Sequence, residues 1–197
     1  GEIHIGHRDV THLPEYKRYA RIGRVYQNPS MGTCGDLTIL ENMALADNKG
    51  KFFGLGRGVS PKKIHEYREQ LSVLGLGLEN KMDMAVGCLS GGQRQAMALL
   101  MTTMTPIDIL ILDEHTAALD PKTAELIMQI TDRIVRSKNL TALMVTHNLR
   151  FAVSYGSRLI MMHNGEIVLD KAGEDKKSET VEDLLHLFNT ISIECGN

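Results

Sequence analysis

CLSGGQRQAMALLMTTMTPIDILILDEHTAALDP, residues 88–121, is the stretch on which the reading of this chain turns. Leu89-Ser90-Gly91-Gly92-Gln93 opens a helix expected over 93–105, an apolar run at 107–112 ends in Asp113-Glu114, and a turn carries Ala118-Leu119-Asp120. The run is nearly continuous in isoleucine and leucine behind Pro106, which predicts a strand buried on both faces of a parallel sheet. Ligands of such sheets sit beyond the carboxyl ends of the strands, where Asp113 and Glu114 emerge. Asp113 is suited to a hard cation such as Mg²⁺, and Glu114 to polarising a water for attack on a phosphate. An isolated apolar-Asp-Glu match fits a solvated acidic turn equally well.

The segment before it adds to the case. A serine and two glycines at a helix N-terminus leave backbone N–H groups and the positive helix end open to a phosphate. Alone, Ser90, Gly91, Gly92 and Gln93 would be an ordinary turn and cap. Followed by a helix and a strand ending in Asp-Glu, they are part of a series.

Working outward, 197 residues with 43% hydrophobic content fit one domain with a real core. A net charge of -2 gives no electrostatic footprint for nucleic acid, so no nucleic-acid partner is expected. Cys34, Cys88 and Cys195 are odd in number and scattered, as free thiols of a reducing compartment would be. No apolar run reaches the roughly 18 residues that span a bilayer.

Towards the start, residues 2–5 alternate as an antiparallel strand would and turn at 6–9. A short helix is expected over 14–19 and a strand over 22–26, which delivers Gln27 before an Asn28-Pro29 turn. His4, His7 and His12 match no common zinc spacing and read as solvated. From residue 32 to about 105 the pattern is helical. Residues 38–47 predict an amphipathic helix with Ile39, Leu40, Met43 and Leu45 packing. Residues 48–63 break it with four glycines and five cations, an exposed basic insertion in which 54–58 only superficially resembles a dinucleotide loop. Ser60-Pro61 predicts a capped start for the next helix, carrying Ile64, Leu71 and Leu74.

Downstream, a helix is expected over 121–136 and an apolar strand over 140–146, ending at His147 on the same sheet edge as Asp113 and Glu114. Strands at 158–163 and 166–169 flank the hairpin signal Asn164-Gly165. A charged turn at 173–177 and a last helix ending near Phe188 follow.

LSGGQRQA, ILILDE, AALD and VTH, in that order, resemble the signature, catalytic strand, dimer-contact loop and switch histidine of ATP-binding-cassette (ABC) ATPases. The resemblance covers residues 1 to about 187. It implies an α/β fold of the P-loop NTPase kind: a mostly parallel sheet, an N-terminal antiparallel β portion and a helical signature subdomain at 32–105, with 1–31 and 106–197 forming the ATPase core. It implies ATP and Mg²⁺, with Glu114, His147 and Gln27 catalytic, Asp113 and Gln27 on the metal, and Ser90, Gly91, Gly92, Gln93 and Asp120 on nucleotide. Two copies would face each other head to tail on a transmembrane permease subunit, with a substrate-binding protein in the wider system, at the cytoplasmic face of the cell membrane. HTAALDPKTA, MGTCGDLTILENMALA and YGSRLIMMHNGEI further resemble importer-type subunits of amino-acid uptake, of tryptophan or tyrosine.

Two departures from the family pattern stand out. No G-x-x-x-x-G-K-[ST] loop occurs in these residues, so the chain is expected to lack the front end that cradles the β- and γ-phosphates, and not to bind ATP normally alone. His115 stands where most of the family has proline. A soluble non-transport ABC ATPase, or a non-catalytic interaction module, are the other readings. The absence of sustained heptads weighs against DNA-repair types, and the intact acidic, glutamine and histidine positions weigh against a silent module.

Overall fold

The computed structural model describes residues 1–52 and 58–194. The core of the basic insertion and Cys195 lie outside the described residues. The chain divides into a first unit, 1–145, and a second, 146–197.

The first unit begins with a hairpin, β1 (His4–Ile5) antiparallel to β2 (Arg8–Asp9). The turn is tighter than expected: only Gly6-His7 lie between the paired strands, because Val10 N–H reaches back to Ile3 O (2.9 Å) and closes the ribbon early. α1 (Glu15–Tyr19) leads to β3 (Ile22–Val25), and α2 (Ile39–Asp47) starts at a Thr38 capping box. There Glu41 N–H donates to Thr38 Oγ1 (3.2 Å) and Thr38 N–H to a Glu41 carboxylate oxygen (2.8 Å). Ile39 and Met43 are fully buried, but Leu45 is exposed, a correction to the expected packing face. Next along the chain, α3 (Ile64–Ser72) is entered through a 3-10 turn at Pro61–Lys63. Ser60 makes no side-chain cap bond, so proline alone shapes this entry.

α4 (Gly91–Thr102), β4 (Ile109–Asp113), α5 (Pro121–Ser137) and β5 (Thr141–Val145) complete the unit. The sheet is parallel, in the order β3-β4-β5, with Val25 opposite Leu112 and Leu112 opposite Met144. Leu110 and Leu112 are buried in one core with Met97, Leu99, Leu100, Ile127, Ile130 and Ile134. Ile109, Ile111 and Asp113, on the alternate face, are only half-buried, and Leu143 and Val145 are exposed. The expectation of a strand buried on both faces therefore fails. α4 and α5 supply the apolar cover for the Leu110/Leu112 face alone, while composition is the same on both faces.

In the second unit Asn148 caps α6 (Leu149–Ser154), accepting from the Arg150 N–H (3.1 Å). β6 (Arg158–His163) pairs antiparallel with β7 (Glu166–Ala172), three residues longer than expected. Asn164 (φ 49°) and Gly165 (φ 83°) take the left-handed conformations of a tight hairpin turn. The expected charged turn is a short helix, α7 (Gly173–Lys177). α8 (Val181–Glu194) opens on a Thr180–Asp183 capping box and runs past the expected end at Phe188.

Candidate functional site

The parallel register between β3 and β4 decides what meets at the sheet edge. Val25, the last residue of β3, lies opposite Leu112, so Gln27 follows two residues beyond the end of β3, at the sheet edge where Asp113 closes β4. Asp113 is half-buried and accepts from an Arg24 guanidinium nitrogen at 2.6 Å, while Arg24 also lies over the Tyr26 ring, 4.7 Å from its centroid. Both partners are well solvated, so the pair adds at most ~1 kcal/mol to stability. Its consequence is placement: Asp113 is held on the half-open face.

Glu114 has a left-handed backbone, φ 45°, unusual for a residue with a side chain and costing roughly 1–3 kcal/mol. Its N–H donates to Val145 O (2.9 Å) and its carbonyl accepts from the Ala117 N–H (2.9 Å). The next residue, His115, is 2% exposed, and its Nε2 is 3.2 Å from Thr131 Oγ1 on α5. Thr131 spends its hydroxyl proton on Ile127 O (2.7 Å), so it accepts from His115, whose Nε2 carries the proton. Burial pushes the His115 pKa down from 6.5 to about 4.

A second cluster forms at the adjoining N-termini of α4 and α5. Ser90 and Gln93 close a capping box: Gln93 N–H donates to Ser90 Oγ (3.3 Å) and Ser90 N–H to Gln93 Oε1 (3.2 Å). Asp120 caps α5, accepting from the Thr123 N–H (3.1 Å), and this bonding to Thr123 lowers its pKa. Gly92 is buried, and a Cβ there would sit 2.3 Å from Thr123 Cγ2. The absent side chain thus serves helix–helix approach, a role its phosphate-facing reading missed. Gly92→Ala is expected to destabilise the protein by about 1–3 kcal/mol through overpacking, and Thr123→Ala in the same chain to recover most of that loss. Denaturant midpoints of the two single variants and the double variant check this.

Asp113 and Glu114 end β4 at the sheet edge that Gln27 also follows, and Ser90 to Gln93 adjoin the Asp120 cap at the start of α5. His147 belongs to the second unit, exposed, two residues after β5.

Residues 1–117 match the sequence profile of the family described as ABC transporter. The chain belongs to that family. It is 47% identical over 188 residues to the tyrosine transport ATP-binding protein of Clostridioides difficile, covering 95% of this chain and 74% of that protein. A methionine import ATP-binding protein of Bacillus cereus is 32% identical over 173 residues, covering 85% of this chain and 48% of the relative. Among solved structures, the ATP-binding cassette MJ0796, a dimer in a post-hydrolysis state bound to ADP and Pi, is similar with a TM-score of 0.69 at 29% identity, covering 87% of this chain and 73% of that one. ABC transporters pair ATP-hydrolysing subunits with membrane subunits, and this chain is an ATP-binding subunit. No helix among the described residues is long and apolar enough to cross a membrane.

The donor set at the first cluster fits Mg²⁺. Among the described residues no group of three His, Cys, Asp or Glu forms an all-protein cage. Mg²⁺ in ATPases is instead held by one or two protein oxygens, with phosphate and water completing the octahedron. The Asp113 carboxylate and the Gln27 amide oxygen are oxygen donors of that kind.

Two residues inside the quoted stretch were not singled out from sequence. Gln95, fully buried on α4, donates to Tyr26 O (3.0 Å), next to Gln27. Arg94 donates to Ser30 Oγ (3.1 Å) and Gly87 O (2.8 Å). Together they fasten the ABC signature helix to the segment bearing Gln27. Their only sequence signal is two long polar side chains facing different ways one turn inside a helix, which does not identify a partner.

Proposed function

We propose that the protein is the ATP-hydrolysing subunit of an ABC importer whose solute is tyrosine or a related aromatic amino acid. The observation that supports this most is the far higher identity to the tyrosine transport protein than to the methionine import protein. In this reading Glu114 orients the attacking water, Asp113 and Gln27 hold Mg²⁺, and His147 contacts the γ-phosphate. Ser90, Gly91, Gly92 and Gln93 clasp the nucleotide of a second copy, and Asp120 couples the two copies. Mg²⁺ would neutralise charge on the β- and γ-phosphates. The protein's own contribution is positioning and charge stabilisation, with the capped N-terminus of α4 offering its N–H groups to phosphate. The two residue clusters suit a head-to-tail homodimer, because each lacks what the other supplies. Partners are a transmembrane permease and a substrate-binding protein, with the ATPase on the cytoplasmic face of the membrane.

The test is uptake of labelled tyrosine and methionine in the native host after deletion of the gene. Tyrosine uptake is expected to fall at least tenfold and return with the wild-type gene, with methionine uptake unchanged. Loss of methionine uptake alone would replace the solute assignment, and no change in any amino-acid uptake would remove the importer reading.

A further inference from the structure

We propose that His115 is a positioning residue for Glu114, acting through its buried hydrogen bond to Thr131. The inference rests on the reading of Glu114 as the water-orienting carboxylate. Glu114 sits in a left-handed conformation that its own side chain disfavours, so its geometry persists only if the flanking residues are held. A proline after it would restrict the backbone locally by locking its own φ. This chain has histidine there, which restricts nothing by itself. The constraint is tertiary: the imidazole is buried against α5 and donates from Nε2 to Thr131 Oγ1 at 3.2 Å.

Thr131 is itself fixed, because its hydroxyl proton is committed to Ile127 O one turn earlier in the same helix. The acceptor lone pair therefore points in a set direction, and the ring has one orientation that satisfies it. Only one peptide unit separates that anchored ring from Glu114. On the other side, the Glu114 N–H is held by Val145 O of β5, so the carboxylate is carried between a sheet bond and a helix bond. Releasing the helix bond removes the side-chain anchor of the adjoining residue and leaves the strained backbone to the Val145 and Ala117 bonds. A shift of about 1 Å at a reacting group is enough to cost up to roughly a hundredfold in rate.

The experiment compares steady-state ATP hydrolysis by the intact protein and its Thr131→Val, Thr131→Ser, His115→Leu and Glu114→Gln variants. Thr131→Val keeps the shape and removes the acceptor; it is expected to lower kcat by roughly tenfold or more while KM for ATP stays within about twofold. Thr131→Ser retains the hydroxyl and is expected to restore most of kcat. His115→Leu combined with Thr131→Val should be no slower than His115→Leu alone, because both remove the same bond. Imidazole ¹⁵N shifts should show the Nε2-protonated ring in the wild type, whatever the turnover. Wild-type kcat in Thr131→Val, or equal losses in Thr131→Val and Thr131→Ser, would overturn the proposal. If Glu114→Gln hydrolyses ATP as the wild type does, the assignment of Glu114 has failed; if it is inactive while Thr131→Val is unaffected, only the tether has failed.

Discussion

Glu114→Gln in the intact protein is expected to lower ATP turnover by roughly 10²–10⁴-fold and to leave ATP affinity nearly unchanged. The substitution keeps side-chain length and the left-handed backbone, whose cost is the same for glutamine, so folding is not the variable. It removes the negative charge and proton-accepting capacity that the proposed mechanism sets beside the phosphate, while Asp113, one residue earlier, still pairs with Arg24. The consequence is a protein that binds nucleotide and stalls. Size-exclusion chromatography with ATP should then show a dimer that persists, and a steady-state assay should show almost no phosphate release. Turnover equal to the wild type would remove Glu114 from the chemistry, and loss of ATP binding would indicate that the residue shapes the pocket.

Stability is expected to fall as pH drops from about 6.5 towards 4, by up to about 3 kcal/mol from His115 alone. The folded protein keeps this imidazole neutral to about pH 4, because burial disfavours the cation, whereas the unfolded chain protonates it near 6.5. Between those values the unfolded state binds the extra proton, so acidification favours unfolding. Above pH 6.5 the contribution is fully present. Urea unfolding at pH 7.5 and 5.0 measures it, and the difference between wild type and His115→Leu isolates this group. Parallel pH profiles for the two proteins would show that His115 is not buried as the neutral ring.

The two predictions depend on different kinds of information. The carboxylates at the end of β4 were legible from an apolar run ending in Asp-Glu, because strand formation and its termination are local properties of a few residues. The Asn164-Gly165 turn and the helix start at Pro121 were legible for the same reason: each is decided within about four residues. The order of these motifs along the chain was enough to place it among ABC ATPases. Failures occurred where a local pattern was incomplete, as at Ser60, which precedes a proline yet makes no cap bond.

By itself, then, the sequence determined most of the elements, their order, the family, and the candidate residues for metal and phosphate. Tertiary structure decided which groups stand beside one another. Arg24 meets Asp113 across 89 positions, Gln95 meets Tyr26 across 69, and His115 meets Thr131 across 16. It also decided that Leu45 faces solvent, that β4 is covered on one face, and that Gly92 is small because Thr123 lies against it. The physical reason is range. Capping and turn formation are settled by bonds within one or two turns of chain, whereas burial and side-chain pairing depend on which surfaces the folded helices and strands bring into contact.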